Sequence, residues 1–418
     1  MREMLFMSSK SRTLALALVI LFFIGTFMPI KAISIWNSQT ISEETRRTFS
    51  AAIALDPFNN PQVAYTDAHY EGAHVVGNLI YATRNGSVWD KQNLTVDGAV
   101  EGLALDSNDN PHLLYNVFSE DQLVYAERKG LNWSSYVLGN GRSIGSLALD
   151  SNGNPHVALL DDGFLKYASR INSTWSIQTL AYANNTYRVF LKIDSNDTPH
   201  ILYGFPNVIL LNVNYRQYEN ANYATLVGNH WRIQSVLSYV DSFGNLALDS
   251  NNYPHFTYCV NSTLFYESWN GSDWDIQAVA DNVTNYPNQY LAIDSRNHPN
   301  IVYEDRDGNS MVTRGIENKW VVENLSFSIG PIVLDSNDNL HMICLSGGGT
   351  WTAALLYIKG DLSELEPQST QPTTPTITPP FSIQTIQTVS VVALLIIAII
   401  SIVVYTRHRK TANSVKKL

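Results

Sequence analysis

Leu103-Ala104-Leu105-Asp106-Ser107-Asn108-Asp109-Asn110-Pro111-His112-Leu113-Leu114-Tyr115 is the stretch on which the fold turns. Its opening recurs seven times, as Ile53-Ala54-Leu55-Asp56, Leu103-Ala104-Leu105-Asp106, Leu147-Ala148-Leu149-Asp150, Leu191-Lys192-Ile193-Asp194, Leu246-Ala247-Leu248-Asp249, Leu291-Ala292-Ile293-Asp294 and Ile332-Val333-Leu334-Asp335. The aspartates stand 50, 44, 44, 55, 45 and 41 residues apart. A period in the forties built from short strands marks the blades of a propeller.

Each unit reads as four strands. The apolar strand ending in Asp comes first, and a turn such as Ser151-Asn152-Gly153-Asn154-Pro155 supplies the residues of a tight reversal. A second strand follows (His156-Val157-Ala158-Leu159), then a third (Leu123-Val124-Tyr125-Ala126 in repeat two), then a fourth that opens on a tryptophan. Those tryptophans are Trp89, Trp133, Trp175, Trp231, Trp274 and Trp320, six for seven repeats. Trp36, 20 residues before Asp56, supplies the missing one, so the N-terminal strand Ile33–Ile41 is expected to complete the last blade. The expectation is all-β: a seven-bladed propeller of four-stranded blades over residues 33–362.

The pattern resembles a family of secreted prokaryotic propellers with Leu-Ala-Leu-Asp-Ser-x-Gly-x-Pro-His repeats, loosely grouped with sialidase-like propellers. Leu147 to Leu159, Leu165-Lys166-Tyr167-Ala168 and Trp175 carry the resemblance. It implies the fold and says little of activity, since one fold hosts many functions. The Asp-box of sialidases, Ser-x-Asp-x-Gly-x-Thr-Trp, is missing from the sequence.

The chain ends carry their own signals. Residues 1–32 combine Arg2, Lys10 and Arg12 with an apolar run from Leu14 to Phe27 and a small Ala32, the layout of a secretory signal peptide or, uncleaved, of a signal anchor. Residues 363–385 form a Pro/Thr-rich extended stalk. Ile386 to Tyr405 is apolar and uncharged, long enough at ~1.5 Å per residue for a bilayer's hydrocarbon core. The basic tail 406–418 follows, and the positive-inside rule keeps it cytoplasmic. The expected location is the plasma membrane, with a single C-terminal span and the propeller outside. The exported part holds 18 basic and 36 acidic residues, a balance that excludes nucleic acid as a partner.

Ten Asn-x-Ser/Thr sequons, at Asn85, Asn93, Asn132, Asn172, Asn184, Asn196, Asn261, Asn270, Asn282 and Asn324, are candidates for surface glycosylation. Cys259 and Cys344 lie inside apolar strands and read as buried free thiols. The repeated Asp, with His112, His156, His200, His255 and His341 six residues on, reads as a turn-stabilising pair rather than a catalytic one, because it recurs in equivalent places. No cofactor is expected beyond, as an alternative, a bound calcium. Asp106 to Asn110 alternates oxygen side chains as a calcium loop does, but Pro111 stands where such a loop needs Gly.

Recognition is expected where the copies differ, in the second-to-third-strand loops and the interblade connections. There stand Asp67, His69 and Glu71 in repeat one, Asp161 and Asp162 in repeat three, Asp305 and Asp307 in repeat six and Trp351 in repeat seven, with a long Asn- and Tyr-rich insertion, Phe205 to Asn222, in repeat four. Carboxylates and aromatic faces suit a surface glycan or a protein ligand. The leading expectation is a non-catalytic binding or adhesion module. A sialidase-like hydrolase is the alternative; it requires a carboxylate pair and an arginine cluster, for which Arg47, Arg142 and Arg188 are the candidates. A structural component of the envelope is the third.

Overall fold

The computed structural model describes residues 36–45, 50–71, 74–140, 144–183, 186, 188–211, 214–284, 289–346 and 353–362, with backbone alone at 44–45, 68–71, 74–76, 95–96, 205–211, 214–218, 239 and 353. All lie in the compact unit Ser34–Pro367. The segments expected as export signal (1–32), stalk (363–385), membrane span (386–405) and basic tail (406–418) lie outside the described residues, among which no helix is long and apolar enough to cross a membrane.

Every element among the described residues is a strand, and the strands form antiparallel sheets, five of four strands and one of seven. Repeat three shows the plan: Ile144–Leu149, Pro155–Asp161, Phe164–Ile171 and Thr174–Tyr182 pair in chain order, from inner strand to outer. The seven-stranded sheet is two such meanders sharing one strand. Val88–Leu105 pairs with His74–Asn85 along its first part and with Pro111–Val117 along its last, so the outer strand of repeat one runs unbroken into the inner strand of repeat two.

The N-terminal strand does what its tryptophan predicts. Trp36–Thr45 pairs with Ala353–Asp361, from Trp36 opposite Gly360 to Thr45 opposite Ala353, and becomes the outer strand of the last sheet. It runs further than the expected end at Ile41, and Ile33 to Ile35 lie outside the described residues. The inner strands touch in a cycle, each against the next, and Ile332–Leu334 of repeat seven returns to Ala51–Leu55 of repeat one. The sheets therefore close into a ring.

The apolar core lies between sheets, because each sheet buries both faces against its neighbours. Leu160, Leu165 and Tyr167 of repeat three pack on Val189, Leu191 and Tyr203 of repeat four. At the closing interface Val63, Tyr65 and Trp89 meet Ile343, Leu355 and Tyr357. The outer tryptophan of one repeat docks edge-on against the third-strand tyrosine of the repeat before it: Trp133 on Tyr81, Trp175 on Tyr125, Trp231 on Tyr167, Trp274 on Tyr223, Trp320 on Tyr266 and, across the closure, Trp89 on Tyr357. Val312 replaces that tyrosine in repeat six, and Trp36 meets Phe327 instead. Near the axis the sheets approach so closely that a Cβ on Gly102 of repeat two would stand 3.1 Å from the Leu147 Cβ of repeat three.

Two sequence expectations are corrected here. Phe205 to Asn222 is not a loop: the strands Pro199–Leu211 and Asn214–Val227 stay paired until Leu211 faces Asn214. Likewise Asp67, His69 and Glu71 lie on the strand Pro61–Glu71, which pairs with His74–Asn85 up to Glu71 opposite His74. Both are expected as loops because the seven copies differ there, but a hairpin can vary in sequence and lengthen while its backbone stays paired. Cys259 and Cys344 are buried and free, and burial pushes both thiols up to about 12.

Candidate functional site

The repeated polar residues form one structural device. Asp106 Oδ1 accepts the backbone N–H groups of Asn108 (2.9 Å) and Asn110 (2.8 Å), while its Oδ2 accepts Asn110 Nδ2 (2.8 Å). Asp109 between them adopts φ 61°, a left-handed conformation that Asp and Asn tolerate better than most residues. His112 holds Asp106 Oδ2 at 3.9 Å through Nε2 and the Tyr125 hydroxyl at 2.6 Å through Nδ1. The same Asp–His–Tyr chain recurs at Asp150–His156–Tyr167, Asp194–His200–Tyr223, Asp249–His255–Tyr266 and Asp335–His341–Tyr357. Desolvation holds each of these histidines below its usual pKa, so they sit neutral, and the hydrogen bonds to Asp335 hold its carboxyl well below the usual carboxylate range.

The two repeats without the histidine compensate. In repeat one Gln62 accepts the Tyr81 hydroxyl. In repeat six Asn300 takes the histidine's place, Val312 the tyrosine's, and the fully buried Arg314 donates to Asp294 Oδ2 (2.6 Å) and to the Leu362 carbonyl (2.8 Å). This recurrence assigns the repeated Asp and His to holding the turn.

The rim candidates are placed as follows. Asp161 accepts Lys166 Nζ and the Asn140 N–H, and Asp162 with Gly163 makes the two-residue hairpin turn, both at positive φ. Asp305 repeats the capping scheme of Asp106, accepting the N–H groups of Asp307 and Asn309. Asp307 accepts Asn282 Nδ2 at 3.0 Å. Arg188 Nη1 donates to the Phe243 carbonyl, with its guanidinium 5.7 Å over the Phe243 ring, and so ties repeat four to repeat five. Arg47, Arg142 and Trp351 lie outside the described residues, as do the side chains of His69 and Glu71. Asn184 is likewise outside, and the other nine sequon asparagines are exposed. Among the described residues no group of three His, Cys, Asp or Glu could hold a metal ion.

A crevice that the sequence reading did not single out lies between repeats four and five. It lies behind the position opposite the outer tryptophan, where the repeats differ. Opposite the outer tryptophan, repeats one to three carry Arg84, Arg128 and Arg170. Each reaches back to cover a tyrosine of the preceding repeat: Arg84 is 5.4 Å over Tyr357, Arg128 4.9 Å over Tyr81 and Arg170 4.7 Å over Tyr136. Repeats four, six and seven carry Leu226, Gly315 and Gly360 there, and repeat five carries Trp269, opposite Trp274. Trp269 turns instead to Trp274, ring centroids 5.3 Å apart, and the space before Tyr223 is left open.

The resulting cavity holds about 470 Å³ and is walled by Tyr223, Tyr253, Trp269 and Trp274. Arg232, Gln234, Asn252 and Ser272 bring polar groups into the same space. Gln234 is the counterpart of Gln92 and Gln178, which accept the indole N–H groups of Trp133 and Trp231 at 3.2 Å. The crevice opens beside the Asp-capped turns, at the strand ends opposite those where Asp161 and Asp305 stand. Its signal was present in the sequence as a break in the Arg84, Arg128, Arg170 series, legible only once the pairing register is known.

No protein-family model matches this sequence, and no curated protein matches it. Solved structures do. Virginiamycin B lyase from Staphylococcus aureus superposes with a TM-score of 0.53 at 10% identity, covering 77% of this chain and 98% of that one. The fold is a β-propeller. The Dos1 propeller aligns with a TM-score of 0.46 at 11% identity over 78% of this chain and 94% of that one. The Aleuria aurantia lectin, solved as a point mutant in complex with Fucα1-6GlcNAc, aligns at 0.42 and 10% identity over 68% of this chain and 96% of that one. At such identities the likeness concerns the fold alone.

Proposed function

We propose that this chain is a non-catalytic glycan-binding module: a seven-bladed propeller exported from the cell, raised on the stalk 363–385 and anchored by the span 386–405, its basic tail inside. The crevice between repeats four and five carries the reading. Sugar rings present apolar C–H faces and a rim of hydroxyls, and they are held by aromatic walls with a few fixed amide and guanidinium groups. Trp269, Tyr253, Arg232, Gln234 and Asn252 are such a set, on strands and tight turns rather than long loops. Seven inner strands in a closed cycle and seven intersheet clusters support the blade count. Nine exposed sequon asparagines support N-glycosylation of the outer surface.

The test is a glycan array probed with the full-length chain in non-ionic detergent. A defined set of glycans is expected to bind, with Trp269→Ala and Arg232→Gln each weakening binding by at least about tenfold, or ~1.4 kcal/mol. Binding to no glycan, or binding untouched by both substitutions, removes the reading.

A further inference from the structure

A second cavity, of about 510 Å³, lies at the centre of the ring, and inner strands of every repeat line it. One of its walls breaks the repeat. Two residues before the repeated Asp, six copies carry Ala54, Ala104, Ala148, Ala247, Ala292 or Val333, small enough for the crowded axis. Repeat four carries Lys192, whose side chain stands in the central cavity. The side chain is exposed to the water of the cavity, and the strands around it lower its pKa by desolvation.

Among the described residues Lys192 has no ion-pair partner. Glu101, a carboxyl on the same cavity, is turned into it by a bulge between Val100 and Gly102. It is held elsewhere, accepting Asn116 Nδ2 at 2.6 Å and a backbone hydrogen bond from Gly145. Arg188 adds a second positive charge close to Tyr290, which also lines the cavity. Ser146 Oγ accepts the Leu191 N–H at 3.0 Å and keeps its own proton for another acceptor. An ammonium exposed to the cavity and without a carboxylate partner is open to an oxyanion through charge-assisted hydrogen bonds.

We propose that the axial cavity binds a small organic anion, its carboxylate or phosphate oxygens held by the Lys192 ammonium. The strongly acidic exported surface repels anions from outside, so binding rests on the local contact and favours a ligand of low charge. The site is separate from the crevice between repeats four and five and stands whether or not that crevice binds sugar.

Calorimetric titration of the full-length chain with acetate, glucuronate and inorganic phosphate, each to about 10 mM, tests it. At least one probe is expected to bind, and at least about tenfold more weakly to Lys192→Ala and Lys192→Met. The first variant restores the residue of five other copies, so it is expected to fold. Binding by acetate or glucuronate alone assigns the site to carboxylates, and binding by phosphate as well assigns it to oxyanions generally. No heat with any probe, or affinity in both Lys192 variants equal to that of the wild type, overturns the proposal.

Discussion

At the scale of the residue, the five buried histidines make stability depend on pH in a defined direction. Desolvation holds His156 neutral in the fold, with a pKa below the ~6.5 of an unfolded chain. The unfolded state therefore binds the proton first, and the contribution of His156 is lost as pH falls through ~6.5 toward the folded value. Glu101 and Glu267, pushed up to about 7 by burial, run the other way, so the whole-protein profile mixes signs. A difference experiment isolates the histidine. His156→Gln imitates repeat one, where Gln62 already accepts the tyrosine hydroxyl. Between about pH 7 and pH 5 the wild type is expected to lose more stability than His156→Gln in denaturant titrations; equal losses would refute the assignment. The structural role of this Asp and His was legible beforehand, because a catalytic pair has no reason to recur in five equivalent places.

At the scale of the element, the turns are joined to one another. The serine after the repeated Asp binds the next repeat's turn: Ser151 to Asp197, Ser195 to Asn252, Ser295 to Asp338 and, across the closure, Ser336 to Asn59. Ser250 reaches Asn297 through its backbone N–H at 3.0 Å. Ser107 faces Gly153, which has no side chain to offer. Ser151→Ala is therefore expected to cost ~1 kcal/mol of unfolding free energy and Ser107→Ala close to nothing. Urea unfolding of the two variants checks the contrast, and equal costs would dissolve it. Strands, turns and the four-strand unit could be read from apolar spacing and turn residues. These intersheet links could not, since a serine in a turn looks the same whether its hydroxyl faces solvent or a neighbour. The crevice behind Trp269 was hidden for a related reason: it depends on which residue lies across the ladder, and register is a property of the paired strands.

At the scale of the whole molecule, ring closure rests on the earliest strand meeting the last. Trp36 lies over Gly360, where a Cβ would strike its ring, donates to Glu323 Oε1 at 3.2 Å and meets Phe327 edge-on at 5.7 Å. That closure was readable from the count of tryptophans alone. Its consequence concerns biosynthesis. Strand Trp36–Thr45 leaves the ribosome first, and its partner Ala353–Asp361 follows some three hundred residues later. Until then one edge of the final sheet has no mate, and contacts this distant in sequence form slowly. Trp36 fluorescence, followed during refolding of a variant in which the other tryptophans are phenylalanine, is expected to report the slowest phase, later than the recovery of bulk β-structure by circular dichroism. Simultaneous recovery of both signals would show that the ring does not wait for its first strand. A chain cut short before Ala353 would be left with the unmatched edge permanently, so translational fidelity near its end guards this protein against strand-to-strand aggregation.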